Sequence, residues 1–160
     1  MAQLVVDVQI ACDDADTPSH GDIHNWVESA VQASGHVPGD ELEVAVRVVD
    51  AEQIQTLNKL YREQDKATNV LSFPAGDIDG LPKDAPRALG DVVVCAPVVA
   101  TEAAEQGKQL ADHWAHMLVH GTLHLLGFDH ETDAEAQAME ALEGKILAAQ
   151  NVTDPYKGSQ

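Results

Sequence analysis

The 160-residue sequence predicts an α/β (α+β) fold: a single domain whose mixed sheet of about four strands is packed by about five helices. Three observations point there. Short valine-rich segments are interleaved with longer ones whose apolar residues recur every three or four positions. That interleaving is the pattern of a sheet covered by helices rather than of a bundle or a sandwich. The length suits one core, able to bury roughly two-thirds of the unfolded surface without disulfides, and no repeat or second patterned unit divides residues 1–160.

The elements follow in order. Leu4–Ile10 is short, apolar and valine-rich, a strand. Residues 21–34 carry Ile23, Trp26, Val27, Ala30 and Val31 at helical spacing and end before Gly35. Residues 41–49, ELEVAVRVV, alternate Leu42, Val44, Val46 and Val48 with polar or small residues, which predicts a half-buried strand. Asp50 is placed to cap a helix over residues 51–61, with Ile54, Leu57 and Leu60 expected inward. NVLSFP, residues 69–74, reads as a strand stopped by Pro74. Residues 74–90 concentrate glycine, proline and aspartate without periodicity, the mark of a long surface loop. DVVVCA, residues 91–96, is a further strand, and Pro97 opens a helix toward Gln106 because a first turn tolerates the missing N–H. Another helix runs to Leu126. In TDAE, Thr132 and Glu135 form a capping box for a last helix through Ala149.

The net charge of −18, from 27 acids against 9 bases, favours solubility and disfavours broad affinity for polyanions. Three of the nine bases, Lys59, Arg62 and Lys66, fall at i, i+3 and i+7, so a helix continuing through them would gather a local positive patch. Cys12 and Cys95 are far apart and form no C-x-x-C pair, which excludes a disulfide scaffold or a cysteine-rich zinc module and suits a reducing compartment. The start, MAQLVVDVQIACDD, has no basic leader, and Asp7 breaks its apolar run well short of the ~20 residues of a membrane span. The expectation is a cytoplasmic protein with no membrane partner.

The chemistry concentrates in HMLVHGTLHLLGFDHET, which begins at His116. On a helix, His120 and His124 project from one face a turn apart, as two imidazoles sharing a metal ion do. Gly127, one turn on, can take the left-handed conformation that ends a helix and returns His130 toward the pair. The spacing matches the zinc motif H-E-x-x-H-x-x-G-x-x-H. Three imidazoles leave one tetrahedral vertex open for water or substrate, so the site is expected on this C-terminal helix-turn with one Zn2+ per chain, other divalent transition metals also being compatible. A straight set of His116, His120 and His124 is disfavoured, since its ends stand about 12 Å apart along the helix. His113 and His116 are therefore expected on the helix surface or in a layer behind the site. Trp114, Met117, Leu118 and Leu125 read as the buried face of the same helix.

Gly121 occupies the position at which the protease motif carries its glutamate base, so peptidase chemistry lacks its proton acceptor. A glycine there suits close approach by a substrate and tight helix packing equally well. Asp129, before the last histidine, can orient an imidazole or accept a proton, or simply form a turn.

HGTLHLLGFDH resembles the motif H-G-x-L-H-L-x-G-y-D-H of the YbeY family of endoribonucleases, bacterial ribosomal-RNA maturation factors, with Phe128 where tyrosine is usual. LNKLYREQDKATNVLSFP is similar to the family's segment around its functional arginine, which falls on Arg62, and has Asn69 where aspartate is frequent. LGDVVV resembles the family's strand start at Gly90 and Asp91. The likeness spans residues 40–150 or so. It implies a His120–His124–His130 zinc site and a cleft in which Arg62 meets RNA, with Lys59 and Lys66 beside it and Arg62 and His120 as the catalytic residues. The implied activity is zinc-dependent, single-strand-specific cleavage in 16S ribosomal RNA 3′-end maturation and ribosome quality control, with single-stranded ribosomal RNA, the small subunit and its proteins as partners. Two other readings stay open: a non-catalytic ribosome-assembly or RNA-binding factor with a structural metal, and a metallohydrolase of peptides or small molecules.

Overall fold

The computed structural model describes residues 4–11, 17–33, 42–74, 87–126 and 132–149. The chain runs β1 (Leu4–Ile10), α1 (His20–Ala33), β2 (Leu42–Val49), α2 (Ala51–Arg62), β3 (Val70–Pro74), β4 (Arg87–Cys95), α3 (Ala96–Gln106), α4 (Leu110–Leu125) and α5 (Asp133–Ala149). Among the described residues, the expected mixed four-stranded sheet and five helices are observed. The strand order is β1-β2-β4-β3, with β1, β2 and β4 parallel and β3 antiparallel on the edge beside β4. No described helix is long and apolar enough to cross a membrane.

The valines dictate this layering. Central strands covered on both faces read as near-continuous β-branched runs, and Val92–Val94 of β4 do so, while β2 alternates as far as Val48 and Val49. Val44, Val46, Val48, Val92 and Val94 join α1, α4 and α5 in the larger core. Val49, Val93 and Cys95 face a smaller core closed by Ile54 of α2 and Leu71 of β3. Short side-chain bonds start the helices where the chain leaves the sheet. Asp50 Oδ1 accepts from Gln53 N at 2.8 Å and Gln53 Oε1 accepts from Asp50 N at 2.9 Å, a reciprocal box at the head of α2. Ser19 Oγ accepts from Asp22 N at the head of α1, and Thr132 Oγ1 from Glu135 N at the head of α5.

Three expectations are corrected. Leu60 is not inward but 69% exposed, and Asn58 takes the buried place instead. Asn58 is held there because its side-chain amide donates to Lys66 O at 3.0 Å, while its main-chain carbonyl accepts from Glu63 N and Gln64 N as the helix closes. The same closure, with Glu63 left-handed at φ 58°, ends α2 before Lys66, so the three cations do not share one helical stripe, and Lys59 Nζ lies 3.9 Å from Asp65 Oδ2. Finally, β4 begins at Arg87, four residues inside the expected loop. A register shift beside Glu43 and Val44 absorbs one extra residue, and Gly90 accommodates it at φ 139°, a conformation costly for other residues. The shift interrupts the period-two pattern, which is why residues 87–90 read as loop. The rest of that loop lies outside the described residues.

Candidate metal centre

Helix α4 is buried almost all round, with Trp114, Leu118, Val119 and Leu123 at 1% exposure or less. Its packing on the sheet depends on Gly121. A Cβ there would sit 2.7 Å from Val92 Cγ1 and 3.3 Å from both Ser72 Oγ and Val70 Cγ2. Of the two readings of this glycine, helix packing is the one observed: position 121 faces the sheet, and a glutamate here would drive into β3 and β4. Ser72 Oγ donates to Gly121 O at 2.9 Å, fixing the backbone next to His120 to the edge strand. Arg62 Nη2 donates to the carbonyl of the same Ser72 at 3.3 Å. One residue of β3 thus joins the end of α2 to the histidine helix.

His120 Nε2 and His124 Nε2 face each other at 3.1 Å, their rings 4.6 Å apart and inclined at 77°. Two nitrogens bound to one tetrahedral zinc at 2.0–2.1 Å stand about 3.3 Å apart, so the pair fits a shared cation with almost no movement. The other nitrogen of His120 is engaged: Nδ1 lies 2.5 Å from Glu143 Oε1, a carboxylate of α5 with 0% exposure. With the carboxylate ionised, Oε1 accepts, so Nδ1 carries the proton and the Nε2 lone pair is left toward His124. Carboxylate-held imidazoles of this kind recur behind metal ligands, where they fix the tautomer and raise its basicity.

His116, His120 and Glu143 form a possible metal-binding group, their ligand atoms all within 4.8 Å of one another. An ion bridging Nδ1 and Oε1 with 2.0–2.1 Å bonds would hold them about 3 Å apart or more. The 2.5 Å contact has the length of a short hydrogen bond, and the facing Nε2 atoms of His120 and His124 offer a second place for a cation. His116 stands behind, its Nε2 3.9 Å from the same Oε1. Burial pushes its imidazole down to about 4, with Glu143 opposing, so it is neutral at physiological pH. His113, also buried, meets Glu102 Oε1 through Nε2 at 2.9 Å, and Glu102 accepts from Asn69 Nδ2 at 3.1 Å, tying the start of β3 to α4. Both histidines occupy the layer behind the site rather than the helix surface.

Arg62, Lys59 and Lys66 are exposed. Gly127, Asp129 and His130 lie outside the described residues. Glu143 escaped the sequence reading because it looks like one of 27 acids. Its signal was positional: it falls four residues after Met139 and four before Leu147, an acid on the apolar stripe of α5.

The family model described as Endoribonuclease YbeY matches residues 9–151. A protein named Endoribonuclease YbeY from Halorhodospira halophila is 57% identical over 143 residues, covering 89% of this chain and 90% of its own length. Another of that name from Xanthomonas axonopodis pv. citri is 54% identical over 157 residues, covering 98% and 95%. Among solved structures, the solution structure of TM1509 from Thermotoga maritima superposes with a TM-score of 0.56 at 21% identity, covering 99% of this chain and 100% of that one, a likeness of fold.

Proposed function

The chain belongs to the YbeY endoribonuclease family, and from that premise we propose that it is a zinc-dependent, single-strand-specific endoribonuclease acting in 16S ribosomal RNA 3′-end maturation and ribosome quality control. The observation that carries the metal part of this reading is the pair of Nε2 atoms at 3.1 Å, one of them oriented from behind by a buried carboxylate. His120 and His124 are assigned as two ligands and His130 as the third. When bound, the ion supplies positive charge for a phosphoryl oxygen and lowers the pKa of water.

The chain's own residues do the rest. Glu143 holds His120 in the tautomer that presents Nε2. Arg62, steadied by the Ser72 carbonyl, offers its remaining N–H donors to a phosphate as a planar fork, with Lys59 and Lys66 as further cationic contacts. Because Ser72 also bonds Gly121, the phosphate held by Arg62 is kept in register with the residue next to His120. Asp129 is assigned to orienting a ligand imidazole or accepting a proton. On an otherwise strongly acidic chain, these few cations confine polyanion binding to one place, while the acidic remainder suits the basic proteins of the small ribosomal subunit in the cytoplasm.

The test is cleavage of single-stranded RNA by zinc-loaded protein, with and without a chelator, beside His120→Ala and Arg62→Ala. Metal-dependent cutting that both substitutions abolish is expected. Wild type that cuts nothing under zinc-replete conditions and behaves as both variants do would end the reading.

A further inference from the structure

Contiguous exposed apolar surface rimmed by polar residues marks interaction sites. Leu60 and Tyr61 are 69% and 66% exposed on the last turn of α2, immediately before Arg62. Tyr61 is not loose. Its ring meets Phe73 of β3 edge-on, with centroids 5.2 Å apart and planes at 66°. Phe73 is partly buried against the smaller core, so the phenyl ring is anchored and braces the tyrosine. Arg62, the next residue, bonds the carbonyl of Ser72, the residue before Phe73. The aromatic pair and the guanidinium are thus parallel links between the same two elements, α2 and the edge strand β3.

A flat aromatic surface beside a guanidinium is the composition that binds single-stranded nucleic acid: a base stacks on the ring and its phosphate meets the cation. Charge narrows the occupant. The neighbouring Lys59 is partnered by Asp65, and the guanidinium and the ring belong to consecutive residues that reach Ser72 and Phe73, themselves consecutive. An apolar peptide would gain nothing from that cation. A nucleobase followed by its phosphate uses both.

We propose that Tyr61, braced by Phe73, is the stacking platform for one base of the single-stranded substrate, setting the adjoining phosphate on Arg62 and leading the strand over β3 toward His120. This rests on the ribonuclease reading above and adds to it a base-binding subsite. Because every base has a stacking face, the subsite selects unpaired nucleotides over duplex and tolerates sequence.

The experiment titrates the full-length protein with a labelled single-stranded oligoadenylate and with the same oligonucleotide carrying one abasic position, by fluorescence anisotropy at several salt concentrations. Tyr61→Ala is expected to raise the Kd about tenfold, with the salt slope unchanged, since no phosphate contact is lost. Tyr61→Phe should bind as wild type does. Arg62→Ala should instead lower the salt slope by about one unit. In cleavage, Tyr61→Ala should raise KM at nearly constant kcat, the mark of binding lost equally in ground and transition states. Circular dichroism confirms that the exposed substitution leaves the fold intact. If Tyr61→Ala binds as tightly as wild type while Arg62→Ala is impaired, the platform is overturned and the ribonuclease reading stands. If the wild type itself binds and cuts no single-stranded RNA, both fall together.

Discussion

Replacing Glu143 with glutamine removes one charge from a fully buried position while keeping the length of the side chain and an oxygen that can still accept from His120 Nδ1. The hydrogen bond changes class. One to a charged group contributes about 1.5–3 kcal/mol and one between neutral groups about 0.5–1.5 kcal/mol. The difference, about 1–1.5 kcal/mol, is felt by the metal-bound state, in which His120 must give up electron density through Nε2. At 1.4 kcal/mol per decade this is about tenfold in zinc affinity, the lower end of the 10–100-fold seen for groups behind metal ligands. Metal-free stability should respond differently, because the weaker bond is offset by no longer burying a carboxylate. The assay is zinc competition against a chromophoric chelator, beside thermal melts of metal-free protein. Glu143→Gln should weaken zinc about tenfold with little change in Tm, whereas Glu143→Ala, which leaves a cavity and strands the His120 N–H, should lower both. Should Glu143→Gln hold zinc as tightly as wild type, or lose metal-free stability as severely as Glu143→Ala, the carboxylate holds the fold and does not tune the ligand.

Gly121→Ala forces a methyl to within 2.7 Å of Val92 Cγ1, on a side chain with no room to swing. Overpacking at about 1–3 kcal/mol, less the gain of about 1 kcal/mol in helix propensity, leaves a net loss of up to about 2 kcal/mol. Tm should fall by up to about 8 °C in a melt, and a higher Tm would show that α4 is not seated on β4 at this point. Asp50→Ala opens the box at the head of α2 and should cost about 1 kcal/mol in urea unfolding, with Asp50→Asn retaining most of it. Zinc at a hundredfold excess over its Kd should stabilise the protein by about 2.7 kcal/mol, a rise of about 5–11 °C that a chelator reverses and that His120→Ala never shows.

Much of this was legible in the sequence because it is local. Strand β1, the helices and the caps at Asp50 and Thr132 are encoded by spacing and by side chains within a few residues of one another. The His120 and His124 pair was legible for the same reason, since four residues make one turn. What escaped depends on residues distant along the chain. Glu143 acts across 23 positions, and no periodicity announces which of many acids is turned inward. The choice between Leu60 and Asn58 was settled by a carbonyl eight residues further on. The reach of β4 back to Arg87 was hidden by a bulge whose partner is β2. His113 and His116 were left between surface and interior until Glu102 and Glu143 gave them polar neighbours inside.

Ser72 places its carbonyl on the arginine and its hydroxyl on the histidine helix. A protein that must both grasp a strand and cut it faces the problem of timing the two acts. In the function proposed above, grip and blade are riveted to the same pin, so neither has to search for the other once a strand arrives. The alignment is made at folding, and each turnover begins with it already in place.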